Sequence, residues 1–510
     1  MKKNINKIVF AGIMTVVVMA SCERKLNVLD TNSPTQESYF KTAVELEKGV
    51  NGVYSIIRST NLLGRSWHYF HSMRGGEVGS GGDQLETENK ELLNSPNAGP
   101  TNAQVNNIWT ACYQMINRAN LVIAKGPGVT DNTALRDRVI GEAKFLRAWA
   151  YYELVSQWGD VPMYTEPVTS STGFKGKEPA ANIYTLILSD LTDAAAKLPP
   201  SYTGSNLGRA TKGAANALAG RVNMQKGDYT AAKTALLAVY NSGLYSVTTV
   251  PFLWNFDGEI VSNVTTAIAG HEFNNESVFE VVFNDKGDNG FGWGGENTSA
   301  TSAGSTMRAQ DWGTTWGNVV PSTKLLEEFE ANDPRYKWTF WEDGDMVLTK
   351  GGTQTGVPLT DFTNGTSTKF GVAKKRIFRK YSLNDWVPVA GIIPSGINYR
   401  LIRYADVLLM LAECEAEGPT PANAATYINL VRTRPGVNMS PVVTATKNAA
   451  LLAVMHERAV ELGGECIDNV DIIRWRKKGY FPSIKPDPRP GQQNELPIPL
   501  SETSTNPLIQ

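Results

Sequence analysis

The residues best suited to chemistry in this sequence are concentrated between positions 287 and 317. There Phe291, Trp293, Trp312 and Trp316 stand among eight glycines, with Asn297, Arg308, Gln310 and Asp311 close by. Aromatic faces with a few planar donors and acceptors complement a sugar ring, which offers a flat C–H face and a rim of hydroxyls. The glycines let the backbone that carries them turn freely. A second stretch, 64 to 86, reads as a loop that adds to the same site: Trp67, His68, Tyr69 and His71 lead into Arg74-Gly75-Gly76-Glu77 and then Asp83. The expected contact set is Trp67, Tyr69, Arg74, Asp83, Trp293, Asn297, Arg308, Trp312 and Trp316, with at least one of Trp293, Trp312 and Trp316 on the ligand. A tryptophan in such a stretch more often packs its own loop than meets a ligand, so the expectation attaches to the set.

Catalytic and metal chemistry find less support. Glu457, Glu461 and Glu465 follow one another at i, i+4 spacing, and glycoside hydrolysis needs two carboxylates flanking a cleft. These three lie on a segment that otherwise reads as packed core. Arg147, Arg403, Arg458 and Arg474 likewise sit in apolar segments beside Glu142, Asp406, Glu461 and Asp471, which predicts partly buried ion pairs between helices. Gly290, Gly292 and Gly295 have the dinucleotide spacing, but no helix follows to receive a pyrophosphate. His456-Glu457 opens a zinc-protease pattern whose second ligand position is occupied by Val460. Asn284, Asp285, Asp288 and Asn289 could offer oxygens to Ca2+, yet the EF-hand spacing and closing glutamate are absent and a plain turn is expected. No catalytic residue, cofactor or metal site is therefore expected.

The elements that must position the aromatic set begin after a leader. Lys2, Lys3 and Lys7 precede an apolar run from Ile8 to Met19, too short to span a bilayer and expected to be removed. Met19-Ala20-Ser21-Cys22 then resembles a lipobox, which makes Cys22 the acylated first residue of the mature chain. Several acyl chains hold a protein to a membrane stably, at about 0.8 kcal/mol per buried CH2. Cys112, Cys414 and Cys466 remain, an odd number in or beside apolar helical segments, so buried thiols are expected. With 49 basic and 50 acidic residues interspersed, no basic face for nucleic acid is present.

Apolar spacings of three and four predict helices over 36–58, 101–125, 133–157, 181–198, 211–226, 230–242, 402–417, 421–433 and 447–464. In the third, the stripe Ala143, Leu146, Ala150, Leu154 and a second of Phe145, Trp149 and Tyr152 predict a helix packed on two sides. Trp109, Trp149, Trp158 and Trp475 fall in helical motifs and are assigned to the core. Around Gly227-Asp228-Tyr229, the small residues Ala217, Ala219, Ala232 and Ala235 resemble a tetratricopeptide hairpin, and Ala405 to Leu411 with Ala422, Ala425 and Ile428 suggest another. The fold expected is mainly α: a tetratricopeptide-like helical-hairpin scaffold, or α-α superhelix, with a large loop-rich insertion containing short strands such as Ser277 to Phe283. Its expected parts are a leader (1–21), an N-terminal helical region (22–243), the insertion (244–400) and a C-terminal helical region (401–510).

Five motifs resemble one known family. Glu142-Ala143-Lys144-Phe145-Leu146-Arg147-Ala148-Trp149-Ala150-Tyr151-Tyr152, ending in Gly159-Asp160-Val161-Pro162, is similar to the N-terminal signature of SusD/RagB nutrient-binding lipoproteins. So are Tyr399 to Leu409, Ile428-Asn429-Leu430-Val431-Arg432-Thr433-Arg434, Glu457 to Leu462 with Asp471 to Trp475, and Leu496-Pro497-Ile498-Pro499 before Asn506-Pro507. The resemblance implies an outer-membrane lipoprotein, anchored by its N-terminal lipid and facing the cell exterior. It implies capture of oligosaccharide for a SusC-like TonB-dependent β-barrel transporter, without enzymatic activity or cofactor. In the family a loop near residues 64–86 contributes ligand contacts. A surface glycoside hydrolase, or capture of peptide or another nutrient, are the alternatives. One departure is Glu23-Arg24-Lys25 after the cysteine, where exported members often carry an acidic run.

Overall fold

Short polar side chains open the helices where the sequence places them, because an oxygen at that position satisfies backbone N–H groups that have no intrahelical partner. Helix α1 (Ala43–Ile57) begins with a capping box: Thr42 Oγ1 accepts from the Glu45 N–H at 3.3 Å, and Glu45 Oε2 accepts from the Thr42 N–H at 3.0 Å. Asn102 caps α4 (Ala103–Lys125) and Asn132 caps α5 (Thr133–Trp158), with α2 (Ser66–Arg74) and α3 (Thr87–Asn94) preceding them. Next come α6 (Ala180–Lys197), α7 (Lys212–Lys226) and α8 (Tyr229–Tyr240). The computed structural model describes residues 39–82, 85–95, 98–170, 172–249, 272–283, 306, 308–312, 317–347, 357–358, 366–381 and 396–509. Cys22 and the leader, Asp83, Trp293, Asn297, Trp316, the Gly290 motif and the 284–289 run lie outside them.

From Val139 to the end of α5 every residue except Lys144 is buried, as a helix packed on two sides requires. It lies between α4 and α6, and α7 and α8 continue the stack. Gly227 ends α7 with φ of 90°, and Asp228 then caps α8 through the Ala231 N–H. Gly220 lets the two helices close: a Cβ there would lie 2.5 Å from Leu236. The second hairpin, α12 (Tyr404–Glu417) with α13 (Ala424–Arg432), packs against α14 (Lys447–Leu462), and α12 also packs on α8. The short α9 (Arg308–Trp312), α10 (Thr323–Glu328) and α11 (Arg335–Thr339) precede them, and α15 (Asp468–Lys477) and α16 (Leu500–Thr503) follow. The protein is thus mainly α, a frame of stacked helical hairpins.

The strands are short and pair antiparallel. They are β1 (Val78–Ser80), β2 (Val161–Pro162), β3 (Lys177–Glu178), β4 (Ser277–Val281), β5 (Val319–Pro321), β6 (Phe340–Glu342), β7 (Met346–Val347), β8 (Val357–Pro358), β9 (Thr366–Lys369), β10 (Val372–Phe378) and β11 (Tyr399–Arg403). Pairs form between β1 and β5, β2 and β3, β4 and β11, and β7 and β8, while β10 lies between β6 and β9. Pairing of Tyr399 with Val281 and of Arg403 with Ser277 joins one end of the 244–400 stretch to the chain entering α12.

Ion pairs bind these elements, though not always through the expected partners. Arg147 reaches Asp190 on α6 at 2.7 Å, while Glu142 meets Arg209 at 2.8 Å; these acids come from or serve other elements than sequence proximity suggested. Arg458 bridges Asp406 and Asp471, and Arg474 bridges Glu413 and Asp471. Glu457 and Glu461 on α14, and Glu465 just past its end, face cations: Glu457 meets Arg335 and Arg432, Glu461 meets Arg335, Arg403 and Arg434, and Glu465 meets Lys380 and Arg403. Cys112, Cys414 and Cys466 are free and buried.

Candidate ligand-binding site

The two stretches expected to share a site are brought together by backbone and side-chain bonds. β1 lies within the first stretch and pairs with β5, which follows the second. Gly81 N–H donates to the Asn318 carbonyl at 2.9 Å, and a Cβ on Gly81 would meet the Gly317 carbonyl at 1.6 Å, so only glycine fits this approach. Thr306 Oγ1 donates to the Gly64 carbonyl at 3.2 Å, and Arg65 Nε donates to Asp311 Oδ2 at 3.2 Å.

The first stretch, expected as a loop, contains α2, and every residue of α2 is buried. Its apolar and aromatic side chains point in all directions, so no 3.6-residue stripe announces it. Trp67 donates through Nε1 to Glu153 Oε2 at 3.1 Å, and His71 Nε2 lies 2.8 Å from the same oxygen. The Trp67 ring packs against His71 and Tyr399, with centroids 4.4 and 5.6 Å away. Tyr69 packs on Trp312 at 4.8 Å, and Arg74 donates to the Gln493 carbonyl at 3.2 Å. Burial, with Arg476 and Arg489 nearby, pulls the Arg74 pKa down to about 9.

In the second stretch, the Arg308 guanidinium is stacked between Trp312 and Tyr381, 4.4 and 5.3 Å from their ring centroids. It donates to Cys466 Sγ at 2.8 Å and to the Gly464 carbonyl. Asp311, wholly buried, also accepts from Asn318 Nδ2 at 3.4 Å. Burial and the neighbouring Arg308 hold the His68 imidazole well below its usual range, which keeps it neutral.

Trp67, Tyr69, Arg74, Arg308 and Trp312 are each no more than 2% exposed. A side chain can touch a sugar only where it is open to solvent, and none of these five is exposed in this structure. Trp67, Tyr69, Arg308 and Trp312 form a buried floor that joins α2 to α9 through the His68 ring, while Arg74 turns to the Gln493 carbonyl. Trp293, Trp316, Asn297 and Asp83 are outside the described residues. Arg65, Asn318, Tyr381 and Tyr399 complete the floor and were not singled out. Only Tyr399 gave a signal in sequence, as the first residue of a family motif. The four core tryptophans Trp109, Trp149, Trp158 and Trp475 are buried as expected. Among the described residues no cluster of His, Cys, Asp or Glu could hold a metal ion, and no helix is long and apolar enough to cross a membrane. His456 lies against Glu328 and Glu330 at 3.1 and 3.4 Å.

A stacked helical-hairpin frame with a strand-and-loop excursion held on a buried aromatic floor defines an α-superhelical protein with an elaborated insertion. Comparison with known proteins narrows this. A family profile described as "SusD family" matches residues 275–506, and one described as "Starch-binding associating with outer membrane" matches residues 29–224. A SusD-like protein of Formosa agariphila is 25% identical, with 96% of this chain and 95% of that protein aligned. A solved structure described as a laminarin-binding SusD-like protein superposes with a TM-score of 0.68 at 25% identity, covering 91% of this chain and 98% of its own. A SusD-like carbohydrate-binding protein from Bacteroides fragilis gives a TM-score of 0.70 at 21% identity, covering 92% and 99%. The chain belongs to the SusD/RagB family.

Proposed function

We propose that this protein is an outer-membrane lipoprotein that captures oligosaccharide at the cell surface and passes it to a SusC-like TonB-dependent transporter, without chemical conversion. The observation that carries the reading is the end-to-end match with a laminarin-binding SusD-like protein, supported by the carbohydrate-binding relatives around it. In this reading residues 22–243 and 401–510 form the frame, Cys22 carries the lipid, and the 244–400 excursion presents Trp293, Trp316 and Asn297, with Asp83 beside them, to the sugar. The described residues supply the support: Arg308 and Asp311 fix α9, from which the chain leads to Trp316 on one side and back toward Trp293 on the other.

Binding without hydrolysis also fits the state of the α14 glutamates. Glycoside hydrolysis needs a proton donor and a second carboxylate on opposite sides of a substrate. Glu457 and Glu461 are wholly buried and face arginines, so neither is offered to a substrate. Affinity electrophoresis of the purified protein through gels containing laminarin or starch tests the reading, with retardation expected and no reducing ends released. Migration unaffected by either polymer, or release of reducing ends at catalytic turnover, overturns it.

A further inference from the structure

A cleft of about 440 Å3 opens along α4, between that helix, the segment after β2 and α16. None of the residues that line it belongs to the 284–317 stretch. Its size is within the roughly 300–1,000 Å3 of small-molecule sites. One wall carries the half-buried rings of Tyr113 and Tyr164, 5.9 Å apart at 89°, with the buried Trp109 ring backing Tyr113 at 5.0 Å and 54°.

The polar ends of these rings are turned into the protein. Tyr113 Oη donates to the Pro162 carbonyl at 2.8 Å, Tyr164 Oη accepts from the Lys175 N–H at 3.2 Å, and Trp109 Nε1 donates to Glu502 Oε2 at 3.4 Å. A tyrosine at a surface usually keeps its hydroxyl in water and buries its ring. Here Tyr113 and Tyr164 are half-buried with their hydroxyls committed to backbone, so ring surface is what they contribute to the cleft. Along the rim, Gln114 and Asn117 stand one turn apart on the exposed face of α4. Asn117 Oδ1 accepts from the Val168 N–H at 2.8 Å, which orients the amide and leaves its NH2 group to donate. Opposite, Glu502 is fixed through Oε1 by Asn506 Nδ2 at 2.8 Å and retains accepting capacity.

Planar amides and an anchored carboxylate around an aromatic wall give alternating donors and acceptors, which is what sugar hydroxyls need, since each both donates and accepts. Among the described residues that line the cleft there is no lysine or arginine to pair with an anionic sugar, and the carboxylate would repel one. We propose that this cleft is a second carbohydrate subsite, selective for a neutral oligosaccharide. It rests on the glycan-capture reading and adds to it a second point of attachment on the same chain, so that a long polymer is held at two places and retained more tightly than either site alone allows.

The test is titration calorimetry of the detergent-solubilised full chain with laminarihexaose and maltohexaose. The expected result is two ligands bound per chain, falling to one in Gln114→Trp, which fills the cleft from an exposed position, and to one in the Trp293→Ala/Trp316→Ala variant. Tyr164→Ala is the second cleft variant, checked for an unchanged melting temperature. On gels containing laminarin, loss of either site lowers retention by roughly tenfold or more, because two linked sites gain about 10²–10⁴ in avidity. One ligand per chain, unaffected by both cleft variants and lost in Trp293→Ala/Trp316→Ala, overturns the subsite while leaving glycan capture intact. No binding of either sugar by the wild type overturns both.

Discussion

Replacing Glu461 by glutamine tests whether the charges of α14 are structural. Its carboxylate meets Arg403 at 2.8 Å, Arg434 at 2.9 Å and Arg335 at 3.0 Å, and the side chain is wholly buried. Burial alone would push the carboxyl pKa up, but the three guanidiniums, led by Arg434, outweigh it and hold the group well below the usual carboxylate range. Glutamine keeps the shape and removes the charge, leaving three buried cations short of one partner. Removing one member of a buried ion pair costs about 3–5 kcal/mol. Unfolding entropy near 2.1 cal/mol/K per residue, over a chain of 510 residues, makes each kcal/mol worth roughly 1 °C. Glu461→Gln is therefore expected to melt about 3–5 °C below wild type in scanning calorimetry at pH 7. A depressed folded pKa gives stability that is present above the unfolded value of about 4.3 and is lost as pH falls through the folded pKa. The gap between wild type and variant should accordingly narrow in acid below that value. A variant that melts within about 1 °C of wild type at pH 7 refutes the argument that these contacts hold the frame.

Trp312→Ala is expected to lower the melting temperature by about 3–5 °C, since it opens a cavity worth about 3–5 kcal/mol beneath α9, whereas Trp293→Ala and Trp316→Ala leave melting unchanged. Each of the latter two should weaken glycan retention on affinity gels by roughly two- to tenfold, the loss of about 0.5–1.5 kcal/mol of stacking; unchanged retention in both sinks the platform. Asp468 has its pKa pushed up to about 7 by burial, with Asp471 adding to it against the N–H groups of Gly76 and Glu77. A raised folded pKa gives stability that is full below the unfolded value of about 3.9 and is lost as pH rises through about 7, so Asp468→Asn should melt higher than wild type at pH 8, and the gain should shrink at pH 5. Cys22→Ser should move the protein from the membrane to the soluble fraction; persistent membrane association through extraction at high salt argues against a lipid anchor.

Helices were legible where apolar spacings or a turn mark them, as with the two stripes of α5 and Gly227-Asp228 between α7 and α8. α2 was not, because Arg65 offers it no side-chain cap and burial on every side erases the periodicity. Ion pairing was legible in kind and not in partner. Arg147 stands five residues from Glu142 in sequence but bonds Asp190 on the neighbouring helix, because helix packing, and not sequence distance, decides which acid it faces. The family was legible because its motifs fall on α5, α12 to α15 and the closing turns, which are the parts of the frame that must interlock.

For the site, residue type could not separate a tryptophan that faces a sugar from one that carries the loop. Trp312 and Trp316 are four residues apart in a glycine-rich stretch, yet Trp312 is buried against Tyr69 and the Arg308 guanidinium. That guanidinium decides the matter. Among the described residues it has no carboxylate partner; its contacts are a carbonyl, a thiol, the His68 imidazole and two ring faces. Such a cation tolerates burial only while all of those contacts hold together. Lifting α9 would strand a desolvated charge, so α9 behaves as a fixed anchor, and in the proposed reading ligand preference falls to residues on either side of it. Substitutions at Arg308, Asp311 or Trp312 should therefore register first as loss of stability and those at Trp293 or Trp316 first as loss of binding, so melting and retention must be measured on the same variants before any residue is assigned to the sugar.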